Sequence, residues 1–234
     1  MPVVGKARSV RVRVEDQLAE RLCLGVVQAE GVTVRPNAPE VWEEMERLAL
    51  RLQERYGRRS PSEIEELRAA RELYRRTGED PTKTRPSSEA LLRRALRGQP
   101  LPRVNSLVDL CNLCSLEFFL PIGLYDLDCV RGEEVVVRLG RPGEAYESLG
   151  KGLLRAEGRL VVCDADGPIG SPTNDSLRTA ITLQTRRVLA VIFGPGSYPP
   201  SRMAVHAERL GARLRSCAES VGWEVLGGRP FGLG

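Results

Sequence analysis

The sequence predicts an α+β fold, and three observations carry that prediction. Amphipathic helical patterns fill the first half, roughly from Pro39 to Phe118. Short strand patterns punctuated by Gly and Pro fill the second, from Pro121 to Gly194. Strand material also stands at the very start. Helices and strands that segregate along the chain, instead of alternating as βαβ units, argue for helices packed on a mixed or antiparallel sheet. The 234 residues are enough to bury a sizeable core, and no internal repeat or low-complexity tract divides them.

The elements follow in order. Residues 8–14 alternate polar and aliphatic side chains, as a strand with one wet face does, and residues 21–34 continue with β-rich material. Pro39 starts a helix on which Val41, Met45, Leu48 and Leu52 recur at helical spacing, and Gly57 ends it. Ser60, Pro61 and Glu63 form a capping box that predicts a second helix running to about Gly78. A polar turn segment over 79–89 leads to a third helix at about 87–97, broken by Pro100 and Pro102. Asn105 or Ser106 caps a fourth, which runs to about Phe118. Beyond Pro121 the segments LYDLDCV, EEVVVRLG, GLLRAEG, RLVVCDADG and RRVLAVIFG read as strands. A closing helix from Ser201 to Val221 carries the stripe Met203, Ala207, Leu210, Leu214, Cys217, Val221.

Composition narrows the function. Hydrophobic residues make up 41% and charged residues 28%, as in ordinary soluble proteins. The start has no signal-peptide core, and the longest strongly apolar run, VLAVIF, is too short to span a bilayer. A cytoplasmic protein with no membrane partner is the expectation, its six cysteines reduced. The single histidine, His206, confines any triad or multi-histidine metal chemistry to one residue. Net charge is +4, concentrated between Arg71 and Arg103. There Arg71, Arg75, Arg76, Lys83, Arg85, Arg93, Arg94, Arg97 and Arg103 face only Glu72, Glu79, Asp80 and Glu89. Such a cluster is what contact with a phosphate backbone requires, although a solvated helical face has the same look.

Several motifs invite chemistry. Cys111 and Cys114 are spaced C-x-x-C on the fourth helix, a spacing shared by core packing, by half a metal site and by a redox pair. No second C-x-x-C and no histidine pair completes a metal site, so no metal or other cofactor is expected. Asn105, Asp109 and Asn112 make a polar stripe on the same, otherwise apolar, helix. Such groups either anchor neighbouring loops or line a polar pocket. The SLGKG stretch around Lys151 lacks the phosphate-loop pattern and reads as a tight turn, and DADGPIG at 164–170 reads as a turn, not a calcium loop. His206 sits among charged residues on the closing helix, as a surface or rim residue.

Two ordered motifs resemble a known family. Val108-Asp109-Leu110-Cys111-Asn112-Leu113, followed by Pro121-Ile122-Gly123-Leu124-Tyr125-Asp126-Leu127-Asp128, is similar to the V-D-x-T-N-Y and P-x-H-A-F-D-L-D motifs of the phenylalanyl-tRNA synthetase β subunit. They belong to its B3/B4 editing domain. VVCDADGPIG and then Thr179-Ala180-Ile181-Thr182-Leu183-Gln184-Thr185 resemble that domain's later D-x-x-G-P-x-A and S-E-V-T-x-x-T segments. The resemblance covers about residues 80–195, and Arg85 to Arg94 is similar to a segment of stand-alone B3/B4 proteins. It implies a single B3/B4-like domain over 1–234, with N-terminal strands and helices at 1–79 and a C-terminal helix at 201–222.

The resemblance also implies a function. A freestanding editing-type domain would bind the aminoacylated 3′ end of tRNA and act as a metal-independent deacylase of mischarged tRNA. Asn112, the family residue retained, would position substrate or water. Cys111, Gly123, Thr179, Ala180, Asp109, Asp126 and Lys151 would shape the substrate pocket, and Arg85, Arg93, Arg94 and Arg97 would meet the tRNA backbone. Cys111 stands for the family's threonine, Gly123 for its histidine and Ala180 for the glutamate that recognises a tyrosine hydroxyl. Selective capture of tyrosine on tRNA specific for phenylalanine is therefore not expected. The competing classes are a non-catalytic module for tRNA, other RNA or an amino acid, and a metalloprotein built on the cysteines.

Overall fold

The computed structural model describes residues 10–57 and 59–228. Strand β1 (Arg11–Val14) is followed by the long strand β2 (Leu22–Glu30) and helix α1 (Pro39–Tyr56). Helices α2 (Arg68–Arg76), α3 (Ser87–Leu96) and α4 (Ser106–Phe118) complete the helical half. Strands β3 (Ile122–Asp126), β4 (Glu134–Leu139), β5 (Ala145–Ser148), β6 (Gly152–Arg155), β7 (Leu160–Asp164), β8 (Gly167–Gly170) and β9 (Arg187–Pro195) follow. Helix α5 (Pro200–Leu214) and strand β10 (Ser220–Gly227) close the chain. The fold is α+β, with helices early and strands later.

Two four-stranded sheets are stacked beneath the helices. One runs β10-β2-β9-β3 and the other β1-β4-β7-β8, while β5 and β6 form a separate hairpin. Side-chain alternation in β9 shows the layering. Val188, Ala190 and Ile192 face the helical core, whereas Leu189, Val191 and Phe193 face the core between the sheets. A strand buried on both faces must be apolar throughout, which is why this segment reads as an unbroken run. Helix α4 lies over β3, and Asn105 caps it by accepting Leu107 N–H at 3.2 Å and Val108 N–H at 3.0 Å.

The structure corrects three expectations. The helix expected from Ser60 breaks into two short 3₁₀ turns before α2, though the Ser60–Glu63 capping box forms. The closing helix stops at Leu214, and Val221 belongs to β10, opposite Ala29 of β2. Backbone pairing outweighs helical propensity there: without β10, the nine-residue β2 would leave a ladder of polar groups unpaired. Strand β8 lies within DADGPIG, which reads as a turn, and β5 falls mostly in a stretch to which the sequence pattern assigned no element. The first strand begins at Arg11; residues 8 and 9 lie outside the described residues. Among the described residues, no helix is long and apolar enough to cross a membrane.

A basic cleft as the candidate nucleic-acid interface

Four segments converge on a cleft of about 550 Å³. The 79–86 turn and α3 form one wall, α4 contributes Asn112, the β5–β6 hairpin forms the opposite wall, and the loop after β8 brings Ser171, Thr173 and Asn174. The loop is braced by hydroxyls: Tyr146 Oη donates to the Asn174 carbonyl at 2.8 Å and lies 3.0 Å from Ser171 Oγ, and Tyr74 pairs with Thr173 Oγ1 at 2.7 Å. The hairpin is shaped by Gly150 and Gly152, whose φ values of 76° and 67° suit glycine. Lys151 sits between them, so SLGKG is a tight turn as expected, and that turn presents a cation to the cleft.

The cleft is strongly cationic. Lys83, Arg85, Arg94, Lys151, Arg155 and Arg159 line it, against Glu79 alone. Lys83, Lys151 and Arg155 make no salt bridge among the described residues, so their charge is available to a ligand. Arg94 is aimed by the Pro100 carbonyl, which accepts from its Nε at 3.0 Å and its Nη2 at 2.7 Å. The Asn112 amide makes no hydrogen bond among the described residues and opens into the same space, half-buried. A helix otherwise embedded in the core thus presents one free amide to a ring of cations.

The sequence-predicted site residues divide into two groups. The cleft gathers Asn112, Lys151, Arg85 and Arg94. Cys111, Gly123, Asp109, Asp126, Thr179, Ala180, Arg93 and Arg97 lie outside its lining. Asp109 is fully buried, accepting Trp42 Nε1–H at 2.7 Å and Val104 N–H at 2.8 Å, an anchor for α1 and for the chain entering α4. Asp126 accepts Asp128 N–H and the Thr185 hydroxyl, at 2.9 and 2.6 Å. Thr179 is buried, its hydroxyl 3.4 Å from the Ile169 carbonyl, and Ala180 follows it at the end of the same turn. Arg93 pairs with the fully buried Glu89 at 2.9 Å, and Arg97 is exposed at the end of α3.

Cys111 and Cys114 both pack in the helical core, and burial pushes their thiols up, Cys111 well above the usual range and Cys114 to about 12. The pair is packing in this structure, and Asn112 between them points elsewhere. Among the described residues no group of three or more potential ligands is placed to hold a metal. His206 is remote from the cleft: it stacks on Phe118 at 4.3 Å, and Tyr198 Oη lies 2.8 Å from its Nε2. Burial lowers its pKa to about 4.

Behind the cleft wall the structure shows a group that sequence reasoning missed. Asp175, half-buried, accepts Leu124 N–H at 3.2 Å, and burial pushes its carboxyl up to about 7. The buried Tyr125 hydroxyl is electrically coupled to it yet makes no hydrogen bond of ordinary geometry among the described residues. A Cβ at Gly123 would fall 2.3 Å from that hydroxyl, and one at Gly170 would fall 3.0 Å from both the hydroxyl and Asp175 Oδ1. Tyrosine at 125 therefore requires the absence of a side chain at 123. The only hint in the sequence was that Gly123 and Tyr125 depart together from the P-x-H-A-F motif. Arg155, Arg159 and Asn174 were missed for a simpler reason: nothing local marks a strand end or loop as a cleft wall.

The α+β fold thus carries a cleft whose lining is strongly cationic, a charge pattern complementary to a polyanion. Its family is established by sequence: the model of the B3/4 domain matches residues 69–216, and the chain belongs to that family. Among curated proteins, the phenylalanine–tRNA ligase beta subunit of Protochlamydia amoebophila is 39% identical over 70 residues, 30% of this chain and 9% of that protein. The corresponding subunit of Symbiobacterium thermophilum is 33% identical over 79 residues, 33% of this chain and 9% of that protein. The chain thus spans about a tenth of the length of these relatives. An N-terminal fragment of the phenylalanyl-tRNA synthetase beta subunit from Pyrococcus horikoshii matches with 13% identity and a TM-score of 0.43, over 92% of this chain and 50% of that one.

Proposed function

We propose that the chain binds the aminoacylated 3′ end of a tRNA in the basic cleft and, in the cytoplasm, hydrolyses the ester of mischarged tRNA. The observation that carries this reading is the convergence of the free Asn112 amide with six cations on one cleft. Lys83, Arg85, Arg94, Lys151, Arg155 and Arg159 would meet the phosphates, and Asn112 would hold the ester carbonyl or the attacking water. An aminoacyl ester is already activated, so alignment supplies much of the rate. Water adds to the carbonyl carbon, the bond to the ribose oxygen breaks, and that oxygen leaves with a proton that came from the water.

A second reading is binding without turnover. It is favoured by the burial of the Cys111 thiol in the core, at the position where the resemblance places a pocket hydroxyl. A panel of tRNAs, each charged with a different amino acid, separates the two. Deacylation of at least one, lost by about 100-fold in Asn112→Ala with tRNA binding retained, supports the hydrolase. Binding with no turnover on any member of the panel supports the module.

A further inference from the structure

The cleft contains a single carboxylate, Glu79, among its six cations. That side chain is only 10% exposed, and its Oε2 has no hydrogen-bond partner among the described residues. The nearest cation, Arg159 Nη1, stands 4.0 Å from Oε2, too far for a hydrogen bond. A buried carboxylate oxygen without a partner is costly, and such groups need an explanation. Burial raises the Glu79 pKa, with Arg159 and the Thr84 hydroxyl acting against it, and the Tyr74 and Tyr146 rings lie close enough to couple to it.

The geometry points to Glu79 as the receptor for an ammonium group, the α-ammonium of an aminoacyl ester whose RNA phosphates are held by the surrounding cations. This rests on the reading of the cleft as a tRNA 3′-end site. The charge pattern of the cleft mirrors that ligand. An aminoacylated RNA end carries a row of negative charges and one compact cation with three donors, and the cleft offers several cations and one carboxylate with a free oxygen. An uncharged 3′ end brings no cation and would leave Glu79 buried beside phosphates. Glu79 thereby distinguishes a charged from an uncharged end, whatever the amino-acid side chain.

The test compares alanyl-tRNA with lactyl-tRNA, in which a hydroxyl replaces the ammonium at nearly constant shape. Affinity is read by equilibrium filter retention and turnover by release of the acyl group. The wild-type chain should bind alanyl-tRNA about tenfold more tightly than lactyl-tRNA, the size of one charge-assisted hydrogen bond. Glu79→Gln, which keeps the shape, should bring that ratio close to one without weakening binding of uncharged tRNA. Equal wild-type affinity for the two esters, or a ratio that Glu79→Gln leaves unchanged, overturns the assignment. Absence of turnover on both esters with the affinity ratio intact counts against the hydrolase alone. Failure to retain any tRNA overturns both readings.

Discussion

Two sides of one basic stretch of sequence behave in opposite ways. On one side Glu89, fully buried on α3, receives Arg71 Nε at 2.8 Å and Arg93 Nε at 2.9 Å, with Arg85 at 4.0 Å. Burial alone would raise this carboxyl, but the arginine hydrogen bonds outweigh it and hold its pKa below the usual carboxylate range. On the other side Lys83 and Arg94 turn toward the cleft, where Glu79 is the single acid and whose lining Arg85 also reaches. The contrast teaches that a run of charge has no single meaning. A buried acid converts some of its arginines into structural clamps, and those without one are left for a ligand. Asp175 is the intermediate case: it is only half-buried and has no arginine partner among the described residues, and its pKa rises to about 7 instead of falling.

The comparison can be broken most directly at Glu89. Replacing it with Ala leaves Arg71 and Arg93 facing a buried void, and chemical denaturation should show a loss of about 3–5 kcal/mol. A loss below 1 kcal/mol would mean that the two sides are energetically alike. Asn112→Ala is the converse, with unfolding free energy shifted by less than about 1 kcal/mol while single-turnover deacylation falls about 100-fold, equivalent to about 2.7 kcal/mol of barrier.

Asp175 sharpens the contrast through pH. Its folded-state pKa lies above its unfolded value of 3.8, so its proton stabilises the fold at low pH and that contribution is lost as pH rises toward about 7. Asp175→Asn should therefore stabilise the protein by on the order of 1–2 kcal/mol at pH 8 relative to wild type, allowing for its partial exposure, and by much less at pH 5. Equal shifts at both values would show that the group does not titrate in that window. The smallest effect belongs to the open cations. Lys151→Ala should leave stability within about 0.5 kcal/mol and flatten the dependence of log tRNA affinity on log salt by about 0.7. Arg93→Ala, on the clamp side, should not change that slope.

Much of the fold was legible because local chemistry and tertiary context agreed. Pro39 and Gly57 bracket α1, Asn105 caps α4, and β9 is apolar on both faces because sheet and helices cover both. The boundaries that were misread, the broken helix before α2 and strand β10, are those where a tertiary partner overrode a local preference. The same division runs through the site. Adjacent helical residues point roughly 100° apart, and the structure accordingly places the Cys111 thiol in the core and the Asn112 amide in the cleft.

By itself, then, the sequence determined the α+β layout, the B3/B4 resemblance, the excess of positive charge and the residue to watch, Asn112. Periodicity, capping and motif spacing are local properties, and a sequence records them directly. Only the tertiary structure decided which arginines of the basic stretch are clamped by Glu89, that the SLGKG turn brings Lys151 to the cleft, that Tyr125 stands against Gly123, and that Glu79 and Asp175 lose much of their water with no arginine hydrogen bond among the described residues. Each depends on which groups distant in the chain become neighbours and on how much water they lose, and both are set by packing between elements.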